Sequence, residues 1–272
     1  MGHSVALPPP AYTASDSVPS LAVTQARRIG VVGGVGPLAG LDLVRKIIAA
    51  TRATRDQDHL PVALLSFPNQ IPDRTDFLLG RASENPGHAL ADVADALVAV
   101  GAEVIGIPCN TAHAPSIFDI VRERLAGRAE LVHMVEEVGR ELGRQFPAVE
   151  AVGVLSTTGT RAVEIYPRHF ETLGYRVLQV PPGVQERLVQ EAIYDREFGI
   201  KATPTPSDEA VARLMAAVAL LKEQGADLVV LACTEIPLAL SGAGLDGVPL
   251  LDPTCVLARA LVRLSAPGLL TG

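Results

Sequence analysis

Two apolar runs, each stopping at a cysteine, constrain this chain more than any other feature. Ile105-Gly106-Ile107-Pro108 leads to Cys109-Asn110-Thr111, and Val230-Leu231-Ala232 leads to Cys233-Thr234-Glu235. Such runs read as buried strands of parallel sheets, and residues just past the carboxyl ends of those strands line ligand sites in α/β folds. The segments leading to the two cysteines also echo each other. Cys109 lies 80 residues after Ile29, and Cys233 lies 81 residues after Val152. Each interval opens with a strand and a glycine-containing turn, and closes with a helix, Gly-Ala, a strand and the cysteine. The order predicts two similar α/β lobes with mainly parallel sheets and right-handed crossovers.

Hydrophobic periodicity places the elements. Strands are expected at 29–34, 62–66 and 103–107, with helices at 38–52 and 88–100 and a Pro/Asn/Asp loop through Asp76. The second half repeats this with strands at 151–155, 176–180 and 227–231, a Ser/Thr/Gly turn at 156–160 and a helix at 209–224. A last helix at 253–264 is expected to return and pack on the first lobe. The resulting division is a flexible leader over 1–26, a first lobe over 27–128 plus 249–272, and a second lobe over 129–248.

Composition bounds the setting. Nearly half of the 272 residues are apolar and only 4% aromatic, so aliphatic side chains must fill the core. The net charge of −7 argues against nucleic acid or an anionic membrane as the main partner. No apolar run approaches the roughly 20 residues needed to span a bilayer. Three cysteines without CxxC spacing read as a reduced, cytoplasmic protein with neither structural disulfides nor a zinc ribbon. The Pro/Ser/Ala/Thr-rich stretch before Gln25 lacks the basic start and unbroken apolar centre of a secretory signal.

Cysteines at strand ends, flanked by Asn-Thr or Thr-Glu, suit acid–base chemistry. A thiol with an ordinary pKa of about 8.5 is a poor base at neutral pH. A helix beginning at each cysteine would favour thiolate and bind a carboxylate. Cys255 has no matching partner and reads as a small hydrophobe. The turn Gly33-Gly34-Val35-Gly36-Pro37 is not GxGxxG and has no downstream GK[ST], so it suits close approach of a small ligand rather than phosphate. Arg74, on a proline-stiffened loop, is a candidate carboxylate clamp. His59, His88 and His113 are isolated; a structural role for His113 is favoured over tuning of Cys109. No metal set or cofactor motif is present.

Six motifs in order carry a resemblance: Gly-Gly-Val-Gly-Pro at 33–37, Arg-Asp-Gln-Asp-His at 55–59, Gln-Ile-Pro-Asp-Arg-Thr at 70–75, Pro-Cys-Asn-Thr-Ala-His at 108–113, Thr-Thr-Gly-Thr at 157–160 and Cys-Thr-Glu-Ile-Pro at 233–237. From about Arg28 to Leu264 the chain resembles the cofactor-independent aspartate/glutamate racemases. The resemblance implies pseudo-twofold lobes with the active site in the cleft between them, a homodimer, and no pyridoxal phosphate. It implies Cys109 and Cys233 as the paired acid and base. It further implies Asn110, Thr111 and Thr234 around the amino-acid head group, with Thr158 and Thr160 assisting, and Arg74 and Lys201 on substrate carboxylates. Departures are Val35, where the family has Met, and the charged Arg161-Ala-Val-Glu164 after the threonine turn, which bears on substrate choice.

The expected activity is interconversion of L- and D-aspartate or glutamate. Racemisation of another amino acid, or amino-acid binding without catalysis, stands as the alternative. The paired Arg74 and Lys201 favour a dicarboxylate, and intact Cys109 and Cys233 weigh against a purely binding role.

Overall fold

The computed structural model describes residues 25–203, 205–240, 242, 244–245 and 247–272. Nearly all of the expected leader lies outside the described residues.

The apolar runs form the inner strands of two sheets. In the first sheet, β1 (Ile29–Gly33), β2 (Val62–Ser66), β3 (Val104–Gly106) and β4 (Glu130–Val132) pair in parallel in the order β2-β1-β3-β4. The second contains β5 (Ala151–Ser156), β6 (Arg176–Leu178), β7 (Leu228–Ala232), β8 (Gly244–Leu245) and β9 (Val248–Leu251), in the order β6-β5-β7-β9-β8. All its pairings are parallel except the two-residue edge β8. Without that edge, the two sheets have one topology. In each, strand order reverses between the first and third strands of the half, where α/β folds open a crevice.

Eleven mainly α-helical segments, besides four short 3-10 turns, accompany these sheets among the described residues. They are α1 (Pro37–Ala50), α2 (Arg74–Leu78), α3 (Pro86–Ala99), α4 (Pro115–Leu125), α5 (Met134–Gln145), α6 (Thr158–Ala162) and α7 (Ile165–Thr172). The α, π and α turns Pro182–Val184, Gln185–Gln190 and Glu191–Tyr194 run on as α8. Then come α9 (Asp208–Glu223), α10 (Ile236–Ala239) and α11 (Pro253–Ser265). Local chemistry sets several starts. Asn85 Oδ1 accepts from the Gly87 N–H at 2.9 Å with Pro86 at the first helical position, and Ser207 and Asp252 cap α9 and α11 likewise.

Alternation along the strands sends side chains to both faces. Ile29 and Val31 pack with Leu43 and Ile47 of α1 and Leu257 and Leu261 of α11. Val32 and Ile105 turn the other way, toward Leu90 and Leu97 of α3. That second cluster continues across the molecule through Tyr166 and Phe170 to Val152 and Val230, so the lobes share one core. Leu231 and Cys233 belong instead to the cluster under α9. Helix α11 does return to the first lobe, packing on α1 and α5.

β4 pairs with β3 and β9 pairs with β7, so the first sheet extends through Val132 and the second through Leu251. The changeovers thus follow the expected 128/129 and 248/249 positions by a few residues. Each cysteine-bearing strand needs an outer neighbour, and the next stretch of chain supplies it. Glu-Leu-Val in β4 is too short and too exposed to show a strand period.

Candidate active site

Both cysteines leave their strands through the same tight turn. The Cys109 N–H donates to the Ile107 carbonyl and the Cys233 N–H to the Leu231 carbonyl, each at 2.8 Å. The helices expected at these points are reduced to single turns: a 3-10 turn at Asn110–His113, and α10 three residues after Cys233. The physical reason in the first turn is Pro115, which pushes Ala114 into an extended conformation (ψ 133°) before α4 can start. One turn of backbone has little macrodipole, so neighbouring side chains set the charge at each sulfur.

Seven expected residues line one cavity: Arg74, Cys109, Asn110, Thr111, Lys201, Cys233 and Thr234. Val35, Thr75, Thr157, Tyr194 and Glu235 complete its wall. Their elements explain the convergence. Asp73 caps α2 through the Asp76 N–H at 2.9 Å, which fixes Arg74 in the first turn. Thr157 caps α6 by accepting from the Thr160 N–H at 3.2 Å. Gly159 on α6 lies so close to α2 that a Cβ there would meet the Thr75 Cα at 2.8 Å. The space open to the centre of a water-sized sphere is about 10 Å³, room for about one water molecule.

Two expected site residues stand outside this wall. Thr160 is buried behind it, its hydroxyl 2.8 Å from that of Thr111 and 3.0 Å from that of Thr157. Thr158 turns to α8: its N–H donates to Gln190 Oε1 at 2.9 Å and its hydroxyl to Glu186 at 3.2 Å. Thr157, one residue earlier, takes the lining position. Arg161 and Glu164 do not line the cavity either. Arg161 donates to the Val180 carbonyl at 2.6 Å, and Glu164, exposed at the surface, pairs with Arg168.

The charges beside the two sulfurs differ. The Arg74 guanidinium faces Cys109; burial works against its charge, but the Cys109 sulfur and Asp73 outweigh burial and raise its pKa. Arg74 Nη1 donates to the Pro72 carbonyl at 3.1 Å, while its buried Nε–H has no hydrogen-bond partner among the described residues. At Cys233, the thiol faces Glu235 Oε2 at 3.0 Å, and Lys201 is ion-paired to Glu235 Oε1. Burial raises the Cys233 pKa well above its usual value, the Glu235 charge adds to this, and Lys201 opposes it. Burial would raise the Glu235 pKa, but the Lys201 charge and hydrogen bond prevail and lower it. Gly36, at φ 78°, makes room for this carboxylate: a Cβ there would sit 2.3 Å from Glu235 Oε1.

Behind the wall, the buried Tyr166 hydroxyl donates to Asn110 Oδ1 at 2.5 Å. This turns the Asn110 amide so that Nδ2 is left without a partner among the described residues. His113 is structural: its Nδ1 bonds the Cys109 carbonyl at 2.8 Å and its ring stacks on Phe118. Burial, helped by His133, lowers its pKa to about 3, so it is neutral. Glu235 stood in the quoted Cys-Thr-Glu motif but was read only as a flank of the cysteine. The Ser-Thr-Thr-Gly-Thr run carries a cap signature that points to Thr157. Tyr194 and Tyr166 carry no local signal. Among the described residues, no group of three or more His, Cys, Asp or Glu side chains is placed to hold a metal ion.

Comparison with known proteins bears on the family and the fold. A model of the Asp/Glu/Hydantoin racemase family matches residues 32–261. The broad specificity amino-acid racemase RacX of Bacillus subtilis is 26% identical over 240 residues, covering 86% of this chain and 96% of that protein. The aspartate racemase of Picrophilus torridus shares the fold with a TM-score of 0.74 at 24% identity, over 90% of this chain and 96% of that one. Glutamate racemase of Francisella tularensis, solved with D-glutamate, superposes with a TM-score of 0.62 at 18% identity, over 91% and 85%.

Proposed function

The chain belongs to the Asp/Glu/hydantoin racemase family, and on that footing we propose that it is a cofactor-independent amino-acid racemase using Cys109 and Cys233 as its two acid–base groups. The observation that carries this reading is that the cysteines of two repeated strand ends line one cavity beside donors with nothing to bond. Arg74 Nε–H and Asn110 Nδ2–H suit the substrate α-carboxylate, with Thr111 and Thr234 nearby. One sulfur, as thiolate, removes the α-hydrogen as a proton, and the C–H electron pair spreads into the carboxylate. The other thiol then delivers its proton to the opposite face and keeps the S–H pair. The α-hydrogen is a very weak acid, so the preorganised donors and exclusion of water must stabilise the carbanion.

Room for about one water means that an amino acid enters only when the walls part, so catalysis includes an opening step. The first choice of substrate is aspartate or glutamate, with the second carboxylate reaching Lys201. A second reading is favoured by the Lys201–Glu235 pair, which leaves Arg74 as the lining cation with an unpartnered N–H among the described residues. A single-carboxylate substrate would not have to break that pair, and RacX bears the name of a broad-specificity enzyme. Cysteine usage supports a reducing, cytoplasmic setting, and exposed Leu38, Leu41 and Ile48 on α1 support a homodimer.

Chiral chromatography of the purified protein with each enantiomer of aspartate, glutamate and several neutral amino acids tests the reading. Conversion confined to the diacids supports the first choice, and conversion of neutral amino acids supports the second. No conversion of any of them removes the racemase reading.

A further inference from the structure

We propose that Glu235 is a positioning residue that keeps Cys233 protonated in the substrate-free protein, so that Cys109, beside the Arg74 guanidinium, is the sulfur left to accept the first proton. The naming of these groups as acid and base rests on the racemase reading; the placement of the proton does not.

The geometry carries the inference. Glu235 is buried, with 5% of its surface exposed, and both of its carboxylate oxygens are occupied. Oε1 takes the Lys201 ammonium. Oε2 accepts from the Thr234 hydroxyl at 3.3 Å and stands 3.0 Å from the Cys233 sulfur. An ionised carboxylate only accepts, so a sulfur at that distance fits as S–H. A thiolate there would bring two anions into contact inside a buried site, where like charge favours the neutral form of one of them.

Charged and titratable groups facing Cys233 are few. Glu235 and Lys201 act on it directly, the Tyr194 and Tyr166 rings are close by, and Arg74 acts on Glu235. On the Cys109 side stands Arg74, itself acted on by Asp73 and Tyr194. Lys201 cannot cancel the carboxylate at Cys233, because the acidic oxygen lies against the sulfur while the ammonium bonds the far oxygen. Transfer in the resting direction is then fixed. Cys109 accepts the α-proton, Cys233 gives up its S–H proton, and Glu235, still ionised, faces a Cys233 thiolate that must be reprotonated before the next such turn. The tension after that step favours return of a proton to Cys233.

The test titrates each sulfur by the ultraviolet absorbance of its thiolate. The background is Cys255→Ser, with Cys109→Ser or Cys233→Ser leaving one cavity thiol at a time. Cys233 is expected to ionise at higher pH than Cys109. Glu235→Gln should lower the Cys233 midpoint by about 1 to 3 pH units and leave Cys109 in place. Lys201→Met should raise the Cys233 midpoint. If Glu235→Gln does not fold, the double variant Glu235→Gln/Lys201→Met removes both buried charges together and is still expected to lower it. Equal midpoints for the two sulfurs, or a Cys233 midpoint unmoved by both Glu235 variants, would overturn the proposal. A merely structural Glu235 would shift both sulfurs or neither. Turnover by the unaltered chain is scored separately. Turnover with an unmoved midpoint removes the role of Glu235 alone; the predicted shift without turnover keeps the proton placement and removes the racemase reading.

Discussion

Cys109 and Cys233 end equivalent strands through the same turn, with N–H to carbonyl distances of 2.8 Å in both, and their surroundings part immediately afterwards. Cys109 belongs to the apolar cluster that joins the two lobes, and a guanidinium faces it. Cys233 belongs to the cluster under α9, and a carboxylate with its paired ammonium faces it. The backbone is therefore nearly symmetric while the charges are not. A catalyst that removes hydrogen from either face of one carbon needs two acid–base groups in like positions, here proposed to be the two thiols. It also needs one of them protonated and the other not. On the proposed two-thiol reading, repetition of the strand order meets the first requirement, and the charged side chains at the Cys233 turn bear on the second.

The sharpest way to break the comparison is to delete either sulfur. Cys109→Ala and Cys233→Ala should each lower racemisation by about 100- to 10,000-fold in both directions, the range for loss of a positioned acid or base. Chiral assay of a variant that keeps near-normal rates would make the halves functionally unequal. Next in size is loss of the ammonium. Lys201→Ala strands a buried carboxylate, which should destabilise the fold by about 3 kcal/mol in urea denaturation. Arg74→Ala should cost about 1 kcal/mol, through loss of the Nη1 bond to the Pro72 carbonyl, while raising KM.

Tyr166→Phe sharpens the contrast on the Cys109 side. It leaves Asn110 Oδ1 buried and unpaired, a loss of about 1 to 3 kcal/mol by the same denaturation measurement. Acid should act through His113, which packs behind Cys109. Its folded-state pKa of about 3 lies below the unfolded value of 6.5, so the unfolded chain binds the extra proton between these pH values. Stability is therefore full above about pH 6.5 and falls as pH drops toward 3, by at most about 1.4 kcal/mol per pH unit for one proton. His133 and His169, lowered chiefly by burial, act in the same direction. Melting temperatures from pH 7 to pH 5 check the slope, and His113→Gln should flatten it. The smallest effect is expected at Thr158→Ala, which removes an exposed bond to Glu186 and should alter stability by about 0.5 kcal/mol.

Much of this was legible in the chain because the inner strands are continuous apolar runs. Val62–Ser66 falls where periodicity places it, and the helices ending at Gly101 and Gly225 differ from expectation by a residue or two. β4 and β9 carry no strand signal in the chain because runs of three or four residues are too short to show a period. The cavity itself was partly legible. Residues adjacent to the cysteines arrived where expected, since a strand end fixes the next few side chains. Thr158 was one residue out because the side chain that caps a helix, here Thr157, is held in place by that bond while the next residue points away. Tyr194 reaches the wall from the end of α8, and no local pattern encodes that approach. The pairing of Lys201 with Glu235 joins residues 34 apart, so it required coordinates.

Solvent deuterium tests the central claim most directly. One enantiomer of a substrate amino acid is incubated in D2O and both enantiomers are recovered at early conversion. Two opposed thiols predict deuterium at the α-carbon of the product enantiomer, with the recovered starting enantiomer still carrying hydrogen. Equal labelling of both from the outset, or a product that retains the original hydrogen, would contradict a proton leaving to one sulfur and returning from the other.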